Sequence, residues 1–111
     1  MMLFPDDSLL KEKAKIIKAA GHPTRLYMIQ KLATGERCVC KFVNEINSDF
    51  STISRHLGVL KEAGIVSRDK RGKQVFYKLA APCILGFLSC VEGIIEKEAR
   101  ARLKSLDKKK K

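Results

Sequence analysis

Apolar positions along this 111-residue chain follow a helical repeat that gives way once to strand-like alternation. From Ser8 to Ala20 the residues Leu9, Leu10, Ala14, Ile16, Ile17 and Ala20 fall near helical spacing, with Asp6, Asp7 or Ser8 available as a cap and Gly21 as a stop. Pro23 suits the first turn of a second helix that carries Leu26, Met28, Ile29 and Leu32 and is closed by Gly35. A third, short helix is predicted from Val39 to Ile46, and Asn47-Ser48-Asp49 forms the turn after it.

Ser51 is the expected cap of a fourth helix, which buries Ile53, Leu57 and Leu60, with Val59 a further candidate, and stops at Gly64. Its other face carries Thr52, Ser54, Arg55, His56 and Lys61. Ile65-Val66-Ser67 and Gln74 to Leu79 are rich in strand formers and flank the charged turn Arg68-Asp-Lys-Arg-Gly-Lys73, which is a hairpin signal. Pro82 opens a last helix, Cys83 to about Lys104, with Ile84, Leu85, Leu88, Val91, Ile94 and Ile95 as its apolar side.

The predicted order is α-α-α-α-β-β-α, a mainly α (α+β) winged helix-turn-helix with one extra helix at each end. One domain is expected over residues 1–107, followed by a disordered lysine tail at 108–111. The terminal helices have little domain left to cover, so their apolar faces point to dimerisation with a second copy. A dimer would present two recognition helices to a two-fold symmetric DNA site. The alternative is that both helices complete a monomeric core.

Charge strengthens the DNA reading. Lys and Arg outnumber Asp and Glu by 23 to 12, giving a net charge of +11 and a pI of about 9.8, as expected of a nucleic-acid-binding domain. The excess persists when the Lys108 to Lys111 tail is set aside. A helix of this kind enters a major groove, where Ser51, Thr52, Ser54, Arg55, His56 and Lys61 would meet base edges and phosphates. Arg68, Lys70, Arg71 and Lys73 of the hairpin would hold the adjacent backbone. The chain contains no apolar run long enough to span a membrane, and its start lacks a signal-peptide pattern, so a soluble, cytoplasmic protein is expected. With no Cys-x-x-Cys, no nucleotide-binding motif and no room for a catalytic domain, an enzyme is not expected.

Four segments together resemble the ArsR/SmtB family of bacterial and archaeal metal-sensing repressors. They are Ala20-Gly-His-Pro-Thr-Arg-Leu26, Gly35-Glu-Arg-Cys-Val-Cys-Lys-Phe42, the helix Ser51 to Val66 reading Ser-Thr-Ile-Ser-Arg-His-Leu-Gly-Val-Leu-Lys-Glu-Ala-Gly-Ile-Val, and Arg71-Gly-Lys-Gln-Val-Phe-Tyr-Lys-Leu79. The resemblance implies a homodimer that represses an operon from a palindromic double-stranded operator until an inducer binds. It implies no cofactor for DNA binding itself.

Within that resemblance, Cys38-Val39-Cys40 looks like the Cys-Val-Cys sensing motif of members that respond to arsenic, antimony, cadmium and lead. Thiolates suit such soft ions. Positions i and i+2 of a helix lie about 200° apart, so the two sulfurs can share an ion only where the backbone is extended or unwound. Many arsenic sensors carry a third cysteine three residues after the second, where this chain has Val43, and the N-terminal arm has none. A third thiolate would therefore be Cys83 or Cys90, which lie seven residues apart in sequence and about 10 Å apart along a helix, too far to share one ion. At most one of them is expected to join Cys38 and Cys40, from the same or a partner chain; otherwise they are ordinary core thiols.

The expected inducer is As(III) or Sb(III), ahead of cadmium or lead. The alternative signal is thiol redox state, through a persulfide or a disulfide in which Cys38 or Cys40 pairs with a cysteine of the last helix. Zinc sensing on the last helix is disfavoured, because Glu92, Glu96 and Glu98 lack histidine partners there and His22 and His56 lie elsewhere. His22 reads as a surface or capping residue. A non-specific architectural DNA binder is the remaining alternative.

Overall fold

The computed structural model describes residues 7–110 and contains five helices and three short strands among them: α1 Asp7–Ala20, α2 Pro23–Leu32, β1 Arg37–Cys38, α3 Val39–Ile46, α4 Phe50–Glu62, β2 Val66–Arg71, β3 Gln74–Leu79 and α5 Ile84–Lys110. The fold is the winged helix-turn-helix expected, mainly helical with a small antiparallel sheet. The unexpected element is β1. It pairs with β3, Arg37 opposite Tyr77 and Cys38 opposite Phe76, so the sheet order is β1-β3-β2. Two residues show no alternation to read, and their partner lies far away in sequence.

Local chemistry sets the helix ends. His22 caps α2, its Nδ1 accepting the Thr24 backbone N–H at 3.1 Å, and Pro23 occupies the first turn. Asn47 closes α3 in the left-handed region at φ 56°, and Asp49 then begins α4. The cap of α4 is thus Asp49 and not Ser51: the Asp49 carboxylate accepts the Thr52 N–H at 3.2 Å, and Ser51 sits one step inside the helix. Gly64, at φ 80°, ends α4 with its N–H on the Lys61 carbonyl at 2.9 Å, while the Ile65 N–H reaches the Leu60 carbonyl at 3.0 Å. That pair of bonds turns the chain straight into β2.

The core lies where α2, α3, α4 and the sheet meet. Met28, Ile29, Phe42, Ile53, Leu57, Leu60 and Ile65 are fully buried there. Each such side chain contributes roughly 1.5–3 kcal/mol of burial. The terminal helices behave differently. In α1 only Ala19 and Ala20 are buried, while Leu9, Leu10, Ile16 and Ile17 are exposed.

Among the described side chains of α5 only Ile84 is buried, and Leu85 and Leu88 pack partly against the core. Phe87, Ile94, Ile95, Leu103 and Leu106 are open to solvent. The helix also runs to Lys110, past the expected end near Lys104 and into the lysine run expected to be disordered. It projects from the body: the radius of gyration is 18.3 Å, against about 13 Å for a compact chain of this length.

Candidate nucleic-acid interface and thiol site

At the start of α4, the Asp49 carboxylate is held below the usual carboxylate range by hydrogen bonds from Thr52 and Ser51, the latter at 3.1 Å. This anchors the first turn and orients the residues that follow. Ser51 and Arg55 are exposed, Thr52 and Ser54 half-buried, and Lys61 exposed further along. His56 sits apart from this set. Its ring lies 4.6 Å from that of His22, its Nδ1 is 3.1 Å from an Arg25 guanidinium nitrogen, and burial, then the charges of His22 and Arg25, lower its pKa. Packed against the start of α2, the His56 ring ties α4 to α2.

β3 spans Gln74–Leu79 as expected, but β2 runs on to Arg71, so Arg68 and Lys70 stand within a strand and only Gly72 and Lys73 form the tip. Gly72 at φ 62° starts this two-residue turn, and no other described non-glycine residue than Asn47 has positive φ, so the turn is of type II′. Arg68 and Lys70 share one face of β2; Asp69 and Arg71 share the other. Arg71 is engaged on every side. It grips both Glu36 carboxylate oxygens at 2.7 and 2.9 Å, donates to Asp69 at 2.9 Å, and lies 4.7 Å over the Phe76 ring. Sequence reading put Arg71 among the DNA contacts; its geometry makes it first a strut between the wing and the loop before β1.

Cys38 ends β1 and caps α3 in extended backbone, φ −73° and ψ 146°. This is the unwound entry that the i, i+2 spacing requires. Its sulfur is the acceptor for the Cys40 N–H at 3.4 Å and lies 2.6 Å from the Cys40 sulfur. Cys38 is buried, Cys40 is exposed, and both are free. The hydrogen bond to Cys38 raises the Cys40 thiol pKa, with partial burial adding to it. One residue before Cys38, Arg37 pairs with Glu45 of α3, which also accepts the Tyr27 hydroxyl at 2.6 Å. The Tyr27 and Arg37 bonds hold the Glu45 carboxyl below its ordinary range.

Cys83 and Cys90 are not core thiols within one chain: both are exposed. Cys83 precedes α5 in a turn, so the two do not share one helix as expected. It lines an apolar groove of about 340 Å³ beside Ile16, Ile17 and Phe87. Among the described residues of one chain, no three His, Cys, Asp or Glu side chains converge into a metal site. No described helix is long and apolar enough to cross a membrane.

Sequence inspection missed Glu36, Glu45, Tyr27, Arg25 and β1. Their roles come from contacts across the fold, and the one local signal was acidic Glu36 two residues before the Cys-Val-Cys run.

Residues 22–68, from the cap of α2 into the wing, match the family model for bacterial regulatory proteins of the arsR family. An HTH-type transcriptional regulator of Methanocaldococcus jannaschii is 47% identical over 85 residues, 76% of this chain and 96% of its own. The homodimeric winged helix-turn-helix DNA-binding domain of a possible ArsR-family regulator from Mycobacterium bovis superposes with a TM-score of 0.74 at 25% identity, covering 87% of this chain and 90% of that one. The transcriptional repressor BigR of Xylella fastidiosa gives a TM-score of 0.64 at 32% identity over 82% of this chain and 96% of its own. With the helix-turn-helix, the wing and these matches in agreement, the chain belongs to the ArsR family of helix-turn-helix transcriptional regulators.

Proposed function

We propose that this protein is a homodimeric repressor that grips a palindromic operator through α4 and the wing and leaves it when Cys38 and Cys40 take up a thiophilic ion. The observation that carries the reading is the pair of sulfurs 2.6 Å apart at the extended entry to α3. An ion drawing on both must reposition that entry, and the entry is tied to the DNA-binding parts on two sides. α3 packs against α4, and Cys38 is paired with Phe76 in the wing. Differential contact of this kind is what a two-state switch needs.

Dimerisation is supported by the exposed apolar sides of α1 and α5 and by the homodimeric M. bovis relative. Repression follows the X. fastidiosa relative. On the DNA side, Ser51, Thr52, Ser54 and Arg55 read the major groove, Lys61, Arg68, Lys70 and Lys73 hold phosphates, and His56 and Arg71 position the helix and wing that do so. Arsenite or antimonite is the favoured inducer over cadmium or lead. Since no third ligand converges among the described residues of one chain, the third position falls to Cys83 or Cys90 of the second chain, or to a small thiol.

A second reading rests on the same contact: two thiols this close are set up for two-electron oxidation to a disulfide by a persulfide or organic disulfide. Operator binding followed by fluorescence anisotropy separates the two. Reduced protein should release DNA in saturating arsenite or antimonite, and Cys38→Ser or Cys40→Ser should not. Unchanged affinity in arsenite, antimonite, cadmium and lead sinks the ion reading. Release by oxidant alone, with one intramolecular disulfide found by mass spectrometry, supports the second.

A further inference from the structure

Between α1 and the outer side of α4 lies an open cleft of about 640 Å³, within the usual size range of small-molecule sites. Its floor is apolar, formed by Ala19 of α1 and by Gly58, Val59 and Ala63 of α4. Its rim is cationic: Lys15 and Lys18 on one wall, Arg25 and Arg55 on the other, against the single carboxylate Glu62. Among the described residues none of these four cations is in an ion pair. Arg25 is also fixed in place, its Nε donating to the Ala19 carbonyl at 2.5 Å and one terminal nitrogen meeting His56 at 3.1 Å.

The geometry points to a binding site for an amphipathic organic anion, a carboxylate on an apolar chain. An apolar floor offers nothing to a nucleic-acid phosphate, and four unpaired cations offer little to a purely apolar body. A guanidinium fork matches a carboxylate, and the floor takes the chain. A second copy of this protein is a poor occupant. The copy carries net charge +11, and of the four exposed apolar residues of α1, Leu9, Ile16 and Ile17 lie on the side of the helix away from Lys15 and Lys18.

The site lies apart from Cys38 and Cys40 and does not depend on the thiol reading. Its effect does meet the DNA-binding surface, because Arg55 belongs to both. A carboxylate held by Arg55 takes that charge from the DNA, and linkage requires the two ligands to weaken each other.

Titration calorimetry of the full chain tests this with three probes: decanoate, acetate and decyltrimethylammonium. Decanoate should bind, acetate about tenfold or more weakly for want of its chain, and the cationic amphiphile not measurably. Gly58→Leu fills the floor; a Cβ there meets nothing within 4 Å, and the change favours the helix. It should abolish decanoate binding with the helical circular dichroism intact. The double variant Lys15→Glu with Lys18→Glu should weaken decanoate about tenfold by reversing one wall. Decanoate should also raise the dissociation constant for a footprinted operator duplex.

The proposal is overturned by any of four results. These are no decanoate binding, equal binding of decyltrimethylammonium, undiminished binding to Gly58→Leu, and operator affinity indifferent to bound decanoate. Amide protection of residues 58–63 that vanishes on dilution would assign the cleft to a second copy instead, and would equally overturn it.

Discussion

Cys40 and Asp49 show how single side chains decide this site. Cys40 donates toward Cys38, and losing its proton costs that bond, so its thiol titrates above its ordinary range. Alkylation of Cys40 by iodoacetamide should therefore reach half its maximal rate at a higher pH than a free thiol, and Cys38→Ser should bring the midpoint down. Asp49 works with the opposite sign. Its carboxyl is held low by Thr52 and Ser51, so its support of α4 is present above the ordinary carboxylate pKa and is lost as pH falls through the lowered value. Asp49→Ala should lower the melting temperature by about 2–6 °C at neutral pH, and the loss should shrink in acid; Asp49→Asn should retain most of the cap. The sequence reading put the cap at Ser51, two residues on, and took Asn47-Ser48-Asp49 for the turn before it, although all four are residue types that cap well. Choosing among them needs the left-handed turn at Asn47, which fixes where the helix can begin.

At the scale of elements, the wing is a braced hairpin. Glu36, Asp69 and the Phe76 ring hold Arg71, while Arg68 and Lys70 stand on the other face of β2. In operator titrations against salt, Arg68→Ala and Lys70→Ala should each reduce the slope by about one, the loss of one phosphate contact. Arg71→Ala should leave the slope unchanged and weaken binding by loosening the wing. A Glu36→Ala, Arg71→Ala double variant should melt no lower than the worse single variant, as expected of two ends of one strut.

The hairpin was legible from its strand formers and its Gly-containing tip, and the helices from their period and their stops. β1 and the strut were not legible, since both depend on residues 35 or more positions apart meeting in space. The same holds for the far end of α5, whose charged, apolar-poor sequence gives no stop signal before the lysine run.

The whole molecule measures 65 × 47 × 22 Å, an elongated outline produced by α5. A helix with Phe87, Ile94 and Ile95 open to water along such a length asks for a partner, and α1 offers a second apolar strip. Sedimentation should give about twice the 12.5 kDa chain mass at micromolar concentration. Ile94→Lys with Ile95→Lys should shift it to the monomer and reduce operator affinity, while the helix-turn-helix core keeps its fold. A dimeric outcome for the double variant would move the interface elsewhere. The same expectation follows from the sequence, which has too much apolar helix for so small a domain.

The pairing of β1 with β3 also sets an order in time. Cys38 has no strand partner until residues 74–79 have folded back onto it, and contacts of such long sequence separation close late, because their loop entropy must be overcome first. The helices can therefore assemble while Cys38 is still unguarded. In quenched refolding, Cys38 should remain open to alkylation after most helical signal has returned and become protected together with the wing. A chain still being made by the ribosome is in the same position: until the wing emerges, Cys38 is as open as its exposed neighbour Cys40 to whatever ions or oxidants the cell contains.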